Sequence, residues 1–305
     1  MPCDRTREGR VSLDSTVVLV PALWVMWSTT FIAIKWGLTF ADPLSFTVLR
    51  VASAVVALVV VKAVRRQPRG CSDALPHAWG IILGATSVAG FLAFQNLGLQ
   101  HASVGVGSMI IYTQPLLVAL GAWLVRGERL RRSQTYGLLI GWSGVVVLVG
   151  GELDQRSTSL RAIAYLLVSA TLWAAGTLAF TAIPASVPVM GLLLLMNAYG
   201  SLLLLVALLA GVGPQPHVEW GVALVASAAW AGAAASVGGI GVQFLLLRRG
   251  KAGVVTSWTF AVPVLAAAEG VVVLGEGTHT GQLLGSATVV LGLWVVNRRP
   301  AEPWA

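Results

Sequence analysis

Residues 101–150, HASVGVGSMIIYTQPLLVALGAWLVRGERLRRSQTYGLLIGWSGVVVLVG, lie without a gap over residues 249–298, RGKAGVVTSWTFAVPVLAAAEGVVVLGEGTHTGQLLGSATVVLGLWVVNR, when the chain is shifted by 148. Under that one shift Gln95 meets Gln243, Pro115 meets Pro263, and the pair Gly127 and Glu128 meets Gly275 and Glu276. Gln134 also meets Gln282, Gly137 meets Gly285, and Gly144 meets Gly292. A weaker register at a shift of 149 continues toward the start, where Trp24 and Phe31 match Trp173 and Phe180. Chance supplies one such pair but not the set, so the chain reads as a tandem duplication.

The duplicated unit is apolar. Of the 305 residues, 56% are hydrophobic and 10% charged, with a mean hydropathy of +0.82, whereas a soluble domain is roughly 25% charged. A single soluble core is excluded. A membrane helix needs about 20 mainly apolar residues, and such runs lie near 17–36, 44–62, 78–98, 102–124, 134–150, 160–181, 189–211, 221–247, 252–274 and 281–297. The fifth and tenth are short for a bilayer, and the eighth is long enough to tilt. The pattern predicts an all-α integral membrane fold of ten transmembrane helices in two five-helix repeats. The repeats span residues 17–150 and 160–297, joined by an external linker at 151–159 and flanked by cytoplasmic tails at 1–16 and 298–305.

Because each copy has an odd number of spans, the second must enter the membrane upside down relative to the first. Loop charge agrees. Arg126, Arg129, Arg131 and Arg132 follow the fourth span, while the matched loop after the ninth, GEGTHTG, has no Lys or Arg. Conversely RRGK precedes the ninth span, and its counterpart before the fourth is LQHAS. With both termini inside, sixteen of the 20 basic residues fall in cytoplasmic loops, as the positive-inside rule requires. The net charge of +8 is therefore topological, and no nucleic-acid partner is implied. The first apolar run reads as an uncleaved span in a multi-pass protein of the cytoplasmic membrane. Inverted repeats of this kind build transporters whose shared midplane site opens alternately to each side.

These residues resemble the EamA branch of the drug/metabolite transporter superfamily. The resemblance rests on LWVMWSTTFIAIKWGL followed by DPLSFTVLR in the first two spans, and on Pro115 to Glu128 repeated as Pro263 to Glu276 with a trailing glycine-rich span. It implies a central cavity lined by the first four helices of each half, with the fifth and tenth packed outside. It also implies export of amino acids or other small metabolites, drugs among them, without fixing which. The sixth span, LWAAGTLAFTAIP, has no counterpart to Lys35, so any role of Lys35 is not symmetric.

A charge inside hydrocarbon costs about 2.5–3.5 kcal/mol on insertion scales, so intramembrane ionisable residues need a partner, water or a function. Glu269 is the one carboxylate set clearly within a predicted span. It is the candidate for proton coupling, against the alternative of a carboxylate reaching the interface. Arg50 either receives a substrate carboxylate or holds helix ends together, and Lys35 is expected to snorkel outward.

Trp24, Trp27, Ser28, Phe31 and Lys35 recur at helical spacing on one face,. Trp173, Thr177 and Phe180 repeat that face. In the fourth span Ser108, Tyr112 and Pro115 share a face whose matched positions are Thr256, Phe260 and Pro263. An aromatic wall with scattered hydroxyls suits an amphiphilic solute, and ordinary packing is the alternative at each position. Gln95, Gln243, Gln114 and Asn197 should turn away from lipid, toward either substrate or neighbouring helices. Pro115 and Pro263 are matched hinge candidates.

No cofactor is implied. The histidines His77, His101, His217 and His279 are scattered without metal-ligand spacing,, and no Walker A sequence occurs,. Expected partners are a small-molecule substrate, the bilayer and, through Glu269, protons; a homodimer is left open. The competing classes are a membrane scaffold or partner subunit and an integral membrane enzyme.

Overall fold

The computed structural model describes residues 13–64, 77–127, 130–154, 158–184, 187–213, 215–248 and 261–297. Among these, eight helices are long and apolar enough to cross a membrane. They are α1 (Leu13–Gly37), α2 (Pro43–Val64), α3 (His77–Leu99), α4 (Val104–Arg126), α5 (Arg132–Asp154), α6 (Leu160–Thr181), α7 (Val189–Leu209) and α8 (Val222–Phe244). Two shorter apolar helices follow, α9 (Ala261–Leu274) and α10 (Thr280–Asn297). The fifth helix is not short, as its apolar run suggested, but 23 residues long. Its polar ends continue the helix, and the Gln134 side chain accepts the Arg131 N–H at 2.8 Å, capping the first turn.

The outward faces are apolar. Val125, Leu209, Val222 and Val272 are each more than three-quarters exposed, a surface that water would not tolerate over such an area and that lipid covers. Inward-facing residues of α1–α4 and α6–α9, with Leu148 of α5, form the main core. A separate cluster of Leu116, Leu138, Val145, Val289 and Leu293 joins α5 and α10 to the side of α4.

The α5–α10 seam is made by glycine. A Cβ on Gly137 would meet the Val296 nitrogen at 2.5 Å and the Gly292 oxygen at 2.7 Å, and one on Gly144 would meet the Val289 nitrogen at 2.5 Å and the Gly285 oxygen at 3.0 Å. The pairs run crosswise: Gly137 faces Gly292, and Gly144 faces Gly285. Under the 148-residue shift each pair maps onto the other. Without a hydrophobic drive between helices in lipid, this backbone approach is what holds them.

Two irregularities also recur in register. Within α3 the segment Gly84–Gly90 is a π-helix, and within α8 so is Trp230–Gly239. The shift carries 84–90 onto 232–238, inside the second segment. Gly127 and Gly275, matched in sequence, end α4 and α9 in the left-handed conformation at φ 65° and 67°. A third irregularity is described only once: α4 breaks at Tyr112 and Thr113 before restarting at Gln114. Pro115 lacks the N–H that would continue the ladder, so this hinge candidate does mark a helix break. Pro263 is buried in the first described turn of α9, and the turn before it lies outside the described residues.

At the end of the bundle bearing the α1–α2 turn, connections from the two sequence halves are tied together. Asp42 accepts the N–H groups of Leu44 and Ser45 at the start of α2 and, with its other oxygen, that of His217 at 2.9 Å. Lys35 does not snorkel outward; its ammonium donates to the carbonyls of Leu99 at 3.1 Å and Ala102 at 3.0 Å. Leu99 ends α3 and Ala102 lies in the turn just beyond it, where the helix dipole favours a cation,. Glu276 binds the Val104 N–H with both oxygens, at 2.8 and 2.9 Å, and so caps α4. Glu276→Ala should leave that amide unpaired at a cost of about 1 kcal/mol. The expected fall in melting temperature is about 2–4 °C, and an unchanged thermal scan in detergent would refute the capping role.

Candidate functional site

The break in α4 and the π-helical turns of α3 and α8 border a central cavity. It is lined by Trp27, Thr30 and Phe31 from α1, Arg50 from α2, Phe91, Leu92 and Gln95 from α3, Ile111 and Tyr112 from α4, Trp173 from α6, and Ala235, Ser236 and Ile240 from α8. Its volume of about 40 Å³ holds a few waters, each needing roughly 10–15 Å³. An organic solute therefore requires the walls to part.

Aromatic rings form most of the wall. Trp173 stacks on Phe91 with centroids 5.1 Å apart and meets Tyr112 and Trp27 edge-on at 5.6 and 6.3 Å. Phe31 leans on Tyr112 at 6.3 Å. Trp27 reaches α8, where its indole N–H donates to the Ala235 carbonyl at 3.4 Å. It fits there because Gly239 has no Cβ; one would overlap the indole nitrogen.

The polar floor is Arg50 and Gln95. Arg50 is buried, 4% exposed. Its Nη1 donates to Gln95 Oε1 at 2.8 Å and its Nε to the Ala231 carbonyl at 3.2 Å. That carbonyl belongs to the π-helical turn and also accepts from Ser236 Oγ at 3.0 Å. Widened turns offer carbonyls that an α-helix would hold in its own ladder. The seam between α2 and α8 closes without Arg50, since Ser53 Oγ donates to the Ala228 carbonyl at 2.7 Å. At Gly232 a Cβ would overlap the Arg50 carbonyl oxygen.

The structure thus brings together Trp27, Phe31, Arg50, Gln95, Tyr112 and Trp173 of the residues singled out from sequence. Others lie elsewhere. Ser28 is fully buried beside the cavity and donates to Glu269 Oε1 at 2.7 Å. The second Glu269 oxygen has no hydrogen-bond partner among the described residues. Gln114 donates to Thr177 Oγ1 at 2.9 Å and joins α4 to α6. Asn197 returns its amide to the Leu193 carbonyl of its own helix at 2.8 Å. Ser108 bonds the Gly105 carbonyl at 3.0 Å and lies 3.4 Å from that of Pro263. Trp24 packs against the core, and Gln243 is buried without lining the cavity. Thr256 and Phe260 lie outside the described residues.

The lining departs from an even sharing between halves, because α7 contributes nothing to it and α9 nothing among its described residues. Thr30, Phe91, Leu92, Ile111, Ala235, Ser236 and Ile240 escaped sequence reading. The available signal was the small-residue run WAGAAASVGG, which marks close helix approach but not a widened turn.

Apolar outer faces around a partly polar, aromatic-walled cavity define a multi-pass membrane protein of the transporter class. The EamA-like transporter family model matches twice, over residues 15–150 and 160–298, and the chain belongs to that family. It is 26% identical to the uncharacterized transporter YvbV of Bacillus subtilis (strain 168), covering 93% of this chain and 92% of that protein. It is 28% identical to a probable amino-acid metabolite efflux pump of Salmonella typhimurium (strain LT2), covering 89% and 91%. A probable terminal-alkyne amino-acid exporter of Streptantibioticus cattleyicolor is also 28% identical, covering 90% and 91%. A solved crystal structure of 22% identity aligns with a TM-score of 0.61 over 93% of this chain and 96% of the other, a likeness of fold.

Proposed function

We propose that the protein is a secondary transporter that exports a small organic metabolite, an amino acid or similar amphiphilic solute, across the cytoplasmic membrane by alternating access. The observation that carries this reading is the buried cavity in which five aromatic rings surround Arg50 and Gln95. The names of the Salmonella and Streptantibioticus relatives support amino-acid-like cargo and the outward direction. Ten spans in two inverted halves, with both termini in the cytoplasm, accord with the two family-model matches, the loop charges and the crosswise glycine pairs of α5 and α10. In that orientation the ties at Asp42, Lys35, Glu276 and Glu152, the last bonded to His279 at 2.7 Å, close the external end. Export then requires them to part while the cavity widens.

Metabolomic comparison of medium and cytosol, with and without the protein, should reveal an amphiphilic compound that accumulates outside in its presence. Vesicle flux of that compound should follow. No redistribution of any compound on high-level expression would sink the reading. Glu269, bonded on one side to Ser28 and free on the other, is the group proposed to carry a coupled proton. Flux should respond to an imposed pH gradient in the wild type and lose that response in Glu269→Gln; an unaltered response removes Glu269 from the mechanism.

A further inference from the structure

Arg50 carries a charge that no described residue balances. Of a guanidinium's five N–H donors, two are used, and both acceptors, Gln95 Oε1 and the Ala231 carbonyl, are neutral. No carboxylate stands within ion-pair distance of it among the described residues. The described carboxylates near the bundle interior are engaged elsewhere: Asp42 at the start of α2, Glu152 with His279, Glu276 on Val104, Glu269 on Ser28. None lines the cavity.

The groups around Arg50 add donors rather than acceptors. Gln95 spends its amide oxygen on Arg50, so its NH₂ group is what remains. The Tyr112 hydroxyl, in the same wall, has no hydrogen-bond partner among the described residues. A buried unpaired cation is costly, and breaking such a balance is worth several kcal/mol. Clamping α2 to α3 and α8 does not call for a charge, because both bonds Arg50 makes go to neutral acceptors that an uncharged donor would also satisfy, and Ser53 already ties α2 to α8. The charge is also single: the 148-residue shift puts Ala198 opposite Arg50. An incoming anion has one place to go.

We propose that Arg50, oriented by Gln95 and the Ala231 carbonyl, receives one carboxylate of the transported solute, so that the protein selects carboxylates with an aromatic or branched apolar body over their amides. This rests on the transporter reading and narrows its substrate class. The stacked rings of Phe91 and Trp173 take the apolar body. A substrate ammonium, where present, meets aromatic faces rather than a carboxylate, so it is tolerated but not required.

Four probes sharing one side chain separate these terms: L-phenylalanine, N-acetyl-L-phenylalanine, L-phenylalaninamide and N-acetyl-L-phenylalaninamide. Calorimetric titration of the purified full-length protein in detergent should give the two carboxylates about 10- to 100-fold tighter binding than the two amides, the range for hydrogen bonds to a charged partner. Arg50→Gln should level the four. Gln95→Glu keeps the guanidinium but sets a carboxylate in its reach, so it should abolish the preference while leaving the melting temperature equal or higher. That variant decides the matter if Arg50→Gln does not fold.

Equal binding of acids and amides to the wild type, or binding of none of the four, overturns the proposal. So does a preference that survives both substitutions. Counterflow of the same probes in proteoliposomes tests the parent reading separately. Carboxylate-selective binding without counterflow leaves the anion site standing and removes the transporter, whereas counterflow blind to the carboxylate does the reverse.

Discussion

Gly292→Leu should separate α5 from α10 and remove most of the folded protein from the membrane. A side chain there would start inside contact distance of the Gly141 backbone nitrogen and Cα. Backbone cannot rotate away as a long side chain can, and the neighbouring approaches at Gly137, Gly144 and Gly285 prevent a local shift. Overpacking typically costs about 1–3 kcal/mol, and here it strikes the contact that joins the two helices. The expected fall in melting temperature is about 5–10 °C, with a several-fold loss of monodisperse protein. Gly150→Ala is the control, because a Cβ at Gly150 meets nothing within 4 Å. If Gly292→Leu melts like the wild type, the seam is not glycine-made.

Trp173→Ala should abolish flux while sparing assembly. Trp173 touches three other rings of the cavity wall, those of Trp27, Phe91 and Tyr112. Each aromatic pair contributes about 0.5–1.5 kcal/mol beyond area, so losing the three disorders the wall and removes the surface on which an apolar solute would rest. Flux of the exported compound should drop at least about tenfold, the equivalent of roughly 1.4 kcal/mol. The amount inserted in membranes should stay within about twofold, since α6 keeps its packing on α3 through Ser169, which bonds the Phe91 carbonyl at 2.9 Å, and on α4 through the Thr177–Gln114 bond. A scaffold would lose neither quantity, and parallel loss of both would make Trp173 a folding residue.

Much of the cavity lining was legible on single helices. Trp27, Tyr112 and Trp173 were found because a helical face repeats every three to four residues, and Arg50 and Gln95 because polar side chains amid apolar runs must turn from lipid. The same argument equally nominated Gln114, Asn197 and Gln243. Which of these meets the cavity and which a neighbouring helix depends on the rotation of each helix about its axis. That rotation is set by partners far away in sequence.

Lys35 shows the same limit in another form. Its place at the end of α1 suggested an excursion to the interface, but its ammonium is taken by the carbonyls of Leu99, the last residue of α3, and of Ala102 in the turn that follows. Only the approach of α3 to α1 brings them there.

By itself the sequence determined the membrane class, the positions of the helices and the duplicated unit, because these follow from local hydropathy and from residue identity at one fixed shift. The tertiary structure alone decided the crosswise fit of the matched glycines, the two π-helical turns, and the pairing of Arg50 with Gln95 and Ala231. Small residues carry no side-chain signal of how wide a turn will be. A turn widens when a partner helix, held close by Gly232, supplies donors for the carbonyls it releases, and that partner is α2, some 180 residues earlier in the chain.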